Sequence, residues 1–111
     1  MNAAEQLKLV SVAEYLEAEL SSTVKHEYLG GIVYAMSGGR NLHNLVATNA
    51  TSALWARLRD QPCRVFNSDT KVRIQLPGHT RFYYPDLSVV CQPNPLQDVY
   101  QDALVSLAYL A

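Results

Sequence analysis

With 111 residues, 49% of them hydrophobic and 17% charged, the chain is long enough for one compact domain over residues 1–111 and too apolar for intrinsic disorder. No apolar run reaches the roughly 18 residues of a membrane span, and no basic stretch followed by an apolar segment marks a secretory leader. A soluble, cytoplasmic protein with no membrane partner is expected. A net charge of −1, from nine basic and ten acidic residues mixed along the chain, excludes an overall electrostatic footprint for nucleic acid but leaves room for a local cluster.

Taken in order, Ser11 followed by Val12, Ala13 and Glu14 is a capping box, so a helix is expected to start here and run to about Ser21. Val12, Tyr15, Leu16 and Leu20 share one face, while Glu14, Glu17 and Glu19 lie largely off it. In KHEYLGGIVYAM, Gly30 and Gly31 separate two strand-like runs, His26 to Leu29 and Ile32 to Met36, in the pattern of a tight hairpin. Side chains alternate along a strand, so Glu27 shares a face with Leu29, and the other face carries His26 and Tyr28. If Leu29 points inward, so does Glu27; the competing reading is an edge-strand acid turned to solvent.

The loop from Ser37 to Arg40 leads into a second helix, with Asn41 as its expected cap and Leu42, Leu45, Val46, Ala50, Ala53 and Leu54 at helical spacing. Gly38 and Gly39 lack the spacing and lysine of a P-loop, and a plain connector is the favoured reading. His43 falls in the helix's first turn, where a histidine is more often packed or solvated than a base or ligand. Gln61 and Pro62 stop this helix, and Cys63 to Asn67 reads as a strand. Asp69, Lys71 and Arg73 then alternate with Thr70, Val72 and Ile74. A solvated charged face is the favoured reading of that pattern, a phosphate-receiving cleft the sharper one. Pro77, Gly78 and His79 make a turn, which predicts a second hairpin between strands around 71–76 and 82–90. Cys63 and Cys91 lack any CxxC or Cys/His metal spacing, and buried reduced thiols are expected.

Within the last strand, Asp86 follows Tyr84 and Pro85 and precedes Leu87, Ser88, Val89 and Val90. Asp is depleted in strands and costly to bury unpaired, so Asp86 is either a satisfied structural acid or a working one. A carboxylate at a strand end can hold a hard divalent cation, but magnesium normally takes further oxygen ligands. Hydrolysis of a phosphodiester calls for two converging carboxylates, a metal and a nearby cation. Upstream of Asp86 the chain offers Glu27 and Asp69 as acids and Lys71 as a cation; downstream it offers only Asp98 and Asp102, and no lysine.

The ordered motifs VAEYLEAE, KHEYLGGIVYAMSG, LHNLVATNATSAL, CRVFNSDTKVRI and YYPDLSVVC resemble the Uma-two family, whose domain has the restriction-endonuclease-like fold of the PD-(D/E)XK superfamily. The resemblance runs from about Ser11 to Asp102. It implies an α+β fold with a mixed sheet flanked by helices, and a DNA-cleaving site dependent on Mg2+ or Mn2+. In that site Asp86 binds the ion and Glu27 is the family position that assists it. His43 and Asp69 fall on recurrent family positions with no role assigned. Where the family places a second catalytic Glu, a Ser-Pro element and a helix carrying Lys, this chain has ALVSLAYLA, with no acid or base from Ala103 to Ala111.

That departure leads to the expectation of a fold incomplete at its C-terminus and a nuclease that is inactive or impaired, because members of a catalytic unit act together. The alternative is a non-catalytic interaction or dimerisation module, or a degenerate gene fragment. A third reading, nucleic-acid binding without catalysis, would need Lys71 and Arg73 on one surface, with Arg40 and Arg81 as optional additions to it. If ALVSLAYLA forms a strand that nothing covers, an exposed sheet edge favours a homodimer or self-association.

Overall fold

The computed structural model describes residues 9–102 and 107–108. Its first helix, α1 (Val12–Ser21), opens with the expected capping box: the Ser11 hydroxyl accepts from the Glu14 amide at 3.1 Å, and the Glu14 carboxylate accepts from the Ser11 amide at 3.0 Å. The buried face is rotated from the one expected. Tyr15 is buried, but Leu20 is 65% exposed, and Glu19, one turn after Tyr15, is turned inward with a side chain only 4% exposed.

Strands β1 (His26–Leu29) and β2 (Ile32–Ala35) form the expected hairpin. Gly30 and Gly31 make its turn with φ of 58° and 105°, a left-handed backbone that glycine adopts without steric cost. The strand parity resolves in favour of Tyr28, which is buried in the core, so Glu27 lies on the opposite face of β1. The second helix, α2 (Asn41–Leu58), starts one residue earlier than expected, at Asn41 itself. Arg40 is the N-cap and makes no side-chain cap bond, while Asn41 is already helical. The helix ends before Asp60, which takes a left-handed φ of 69° ahead of Gln61 and Pro62.

The remaining strands are β3 (Arg64–Phe66), β4 (Lys71–Leu76), β5 (His79–Tyr83), β6 (Leu87–Val90), β7 (Tyr100–Asp102) and β8 (Leu107–Ala108). Pro77 and Gly78 close the β4–β5 hairpin as expected. The strand expected over 82–90 is instead two strands. Pro85 has no amide proton to donate to a ladder, and around it the chain leaves one sheet after Tyr83 and enters another at Leu87. A five-stranded sheet runs β2-β1-β5-β4-β7, antiparallel except for the parallel β4–β7 pair; a three-stranded sheet runs β3-β6-β8. The expected α+β class holds. Of ALVSLAYLA, only Leu107 and Ala108 lie among the described residues, where they pair with Leu87 and Ser88 of β6.

The core is aromatic. Tyr15 of α1 stacks at 5.0 Å on Tyr28 and 5.3 Å on Phe82, and Tyr100 meets Phe82 edge-on at 5.5 Å. Cross-strand registers put Tyr28 and Arg73 opposite Phe82, so the β4 charges stand on the same sheet face as this core. That overturns the solvated-face reading. Lys71 is 9% exposed, and the Arg73 guanidinium makes a two-pronged bond to Asp102 at 2.6 and 3.0 Å while lying over the Tyr100 ring. No alternation pattern in β4 alone reveals that β7 will supply the acid.

The cysteines also correct an expectation. Cys63 and Cys91 are joined in a disulfide, with Cα atoms 3.8 Å apart. The ladder pairs Arg64 with Val90, so the residues just outside, Cys63 before β3 and Cys91 after β6, are brought face to face. Among the described residues no helix is long and apolar enough to cross a membrane.

Candidate functional site

Asp86 sits on the turn between the two sheets, immediately before β6, and its position follows from its neighbours. Tyr84 and Pro85 are buried beside it, and Leu87 and Ser88 are buried after it. Its carboxylate reaches the first turn of α2, where His43 Nε2 lies 2.8 Å from Asp86 Oδ1. Both side chains keep about a quarter of their surface in solvent. Gly39 lets the loop pass close beside this histidine: a β-carbon there would come within 3.1 Å of the His43 ring and of the Asn44 side chain.

The face of β1 turned away from the core carries Glu27 to the same place. Glu27, His43, Asp69 and Asp86 all border one cleft of about 870 Å³. Burial raises the Glu27 carboxyl above its usual range. Asp69 stands at the exposed rim, paired with Lys25 Nζ at 3.1 Å. A second cleft of about 660 Å³ lies between α2 and β3, bordered by Thr48, Thr51 and Trp55, and it shares His43 and Asp86 with the first. The Asp86–His43 pair therefore stands where two clefts meet.

Four of the five residues singled out in the sequence, Glu27, His43, Asp69 and Asp86, come together, and Lys71 does not line the cleft with them. Its ammonium lies 5.4 Å from the Tyr84 ring centroid. Burial lowers its pKa, partly offset by the Glu19 carboxylate. Among the described residues, the basic strand side chains considered for binding without catalysis are divided between the two faces of the sheet. Lys71 and Arg73 share the core-facing side of the sheet, while Arg81, at the other parity from Phe82, bonds to His79 and Tyr83.

The donor chemistry suits a hard cation in part. Among the described residues no group of three or more His, Cys, Asp or Glu could hold a metal ion. Magnesium, however, is commonly held by one or two carboxylates, with water and phosphate oxygens completing the shell. Asp86 and Glu27 supply that minimum in kind, and both border one cleft.

Sequence reasoning missed Glu19 and the role of Tyr84. The Tyr84 hydroxyl donates to Glu19 Oε2 at 2.6 Å, and the same carboxylate takes the backbone amide of His26 at 3.2 Å and its Nδ1 at 2.6 Å. Although burial pushes Glu19 up, these hydrogen bonds hold its carboxyl below the usual range. Burial and the Glu19 bond push the Tyr84 phenol well above its ordinary value. The available signal was the spacing: Glu19 follows Tyr15 by one helical turn, so the two share a face.

Comparison with known proteins fits this architecture. The chain is 36% identical over 85 residues to uncharacterized protein slr1290 of Synechocystis sp., covering 77% of this chain and 44% of that protein. It is 27% identical over 104 residues to uncharacterized protein sll1609 of the same organism, covering 94% of this chain and 58% of that protein. The chain thus spans about half the length of the curated relatives it matches. No solved structure matches it at a significant level. Residues 12–108 match the Uma2 family, described as "Putative restriction endonuclease", and the two helices and five-stranded mixed sheet of the described residues accord with a restriction-endonuclease-like fold. The chain belongs to the Uma2 family.

Proposed function

We propose that the cleft is a divalent-metal-dependent site for hydrolysis of DNA phosphodiesters, with Mg2+ or Mn2+ held by Asp86 and Glu27, and that this chain turns over poorly. The observation that carries the reading is the meeting of Glu27 and Asp86, from distant parts of the chain, on one cleft where His43 bonds to Asp86. A bound divalent ion would polarise a phosphoryl oxygen and acidify bound water. The protein's own part is to aim two carboxylate oxygens into the cleft. His43 fixes the Asp86 rotamer, in the way an outer partner orients a metal ligand. The weakness follows from the described cleft: it offers no group of three or more metal-ligating side chains, and the lysine that borders it, Lys25, is paired with Asp69. Catalytic members act as a unit, so a partial set loses orders of magnitude rather than a fraction.

The test is cleavage of supercoiled plasmid with Mn2+ or Mg2+. Trace nicking that vanishes in Asp86→Ala is expected. Robust turnover would contradict the impairment, and nicking that survives Asp86→Ala would contradict the site.

A second reading, an association module, is favoured by one observation: no residue of α2 is fully buried, and Leu42, Leu45, Val46 and Trp55 are exposed. Light scattering that stays monomeric as concentration rises would remove it.

A further inference from the structure

Glu19 is a buried carboxylate that the proposed chemistry does not use, yet it touches both segments that carry the proposed ligands. His26, which gives it an amide and a ring nitrogen, immediately precedes Glu27 in β1. Tyr84, which gives it a hydroxyl, is separated from Asp86 only by Pro85, itself less than 2% exposed. Tyr15, one turn earlier on α1, donates its hydroxyl to the His26 carbonyl at 2.5 Å, so the same helix face grips this strand twice.

Stability alone does not call for a charge here. Replacing a buried ionic group with a well-packed apolar one is often neutral or better, whereas a charge with several directed bonds fixes geometry. The link from Tyr84 to Asp86 is short and stiff. Pro85 locks its own φ and restricts the residue before it. The Tyr84 ring is further held by Lys25 and Lys71, whose ammonium groups lie 5.5 and 5.4 Å from its centroid. A shift of the Tyr84 hydroxyl would therefore be passed on to the Asp86 carboxylate.

We infer that Glu19 is a positioning residue that sets the placement of Asp86 and Glu27 relative to each other, acting through Tyr84 and His26. The inference rests on the metal-site reading above. It is tested by Mn2+ titration of the intact chain, read alongside thermal melts. Tyr84→Phe, which keeps the ring and loses the bond, and Glu19→Leu are expected to weaken Mn2+ binding about tenfold, the low end of the effect of outer-sphere partners on metal sites. Glu19→Gln, which keeps one carbonyl acceptor, should recover part of the loss. Leu16→Ala, which trims packing against the aromatic core and removes no hydrogen-bonding group, should lower the melting temperature and leave Mn2+ affinity unchanged.

If Tyr84→Phe and Glu19→Leu lower the melting temperature but bind Mn2+ like the unmodified chain, the positioning role is overturned and the metal site stands. If the unmodified chain binds no Mn2+, the metal reading itself fails. The crystal structure of Tyr84→Phe then decides the positioning claim: Asp86 displaced from His43 supports it, and Asp86 unmoved overturns it. Should Glu19→Leu not fold, Tyr84→Phe carries the test.

Discussion

The two helices among the described residues bind the chain together in opposite ways. The ten-residue α1 buries Tyr15 against Tyr28 and Phe82 and sends Glu19 into a three-bond polar cluster. The eighteen-residue α2 has no fully buried residue, leaves Leu42 72% and Trp55 56% exposed, and touches the rest mainly along β3 and through His43. Helix length thus says little about how firmly a helix is held; packing of one face decides it. The contrast also divides the site. Glu27 and Asp86 are set from the α1 side by packed and hydrogen-bonded neighbours, whereas His43 is brought from the loosely packed side.

The largest effect that would break this contrast belongs to the aromatic core. Phe82→Ala removes a ring with no exposed surface and should cost about 3–5 kcal/mol, enough to threaten folding of a small domain; a chemical-denaturation midpoint would measure it. A loss under about 1 kcal/mol would mean that the core is not where stability resides.

Next in size is the disulfide, which closes a loop of sequence separation 28. Loop-closure entropy makes its loss worth up to about 3–4 kcal/mol, so Cys63→Ser or reduction should lower the melting temperature and loosen β3 from β6. Amide exchange in Arg64 to Phe66 would show the loosening directly. The effect matters only where the bond forms, because reducing compartments keep such thiols open.

The Arg73–Asp102 pair ranks below these, because both side chains keep more than a quarter of their surface in water. Asp102→Asn should cost about 1 kcal/mol at neutral pH. The Arg73 hydrogen bonds hold the Asp102 carboxyl below its usual range. A depressed carboxyl pKa gives stability that is complete above the unfolded value near ~4 and is lost as pH falls through the lower folded value. Denaturation curves of Asp102→Asn and the unmodified chain should therefore converge at acid pH and separate above about pH 5. Parallel curves at all pH values would show that the pair contributes nothing through ionisation.

The smallest effect is expected on α2. Leu45→Ala, at an exposed position, should change stability by no more than about 0.5 kcal/mol. A loss of several times that would reveal that α2 is covered in solution, and would sharpen the association reading.

What could be read from the sequence was local. The capping box at Ser11, the glycine turn at Gly30 and Gly31, and the Pro77-Gly78 turn each depend on residues within a few positions, and each stands where expected. What could not be read depends on sheet order. Tyr28 rather than Leu29 faces inward because Phe82 arrives opposite it; Lys71 is buried and Arg73 is paired because α1 and β7 flank their face; Cys63 finds Cys91 only through the β3–β6 register. The site behaves the same way. Asp86, Glu27 and His43 could each be picked out by residue type and motif, but the 2.8 Å bond from His43 to Asp86 and the shared cleft are products of tertiary structure. Glu19 was misread because a helical face was assigned by hydrophobicity, and a carboxylate with three hydrogen bonds, from His26 and Tyr84, sits on the buried side.

The central claim, that Asp86 and Glu27 form one metal-holding pair, is tested most directly by isothermal titration with Mn2+. A single weak site is expected in the unmodified chain, and it should disappear in both Asp86→Ala and Glu27→Ala. Binding that persists in either variant with unchanged affinity, or no binding to the unmodified chain, would contradict it.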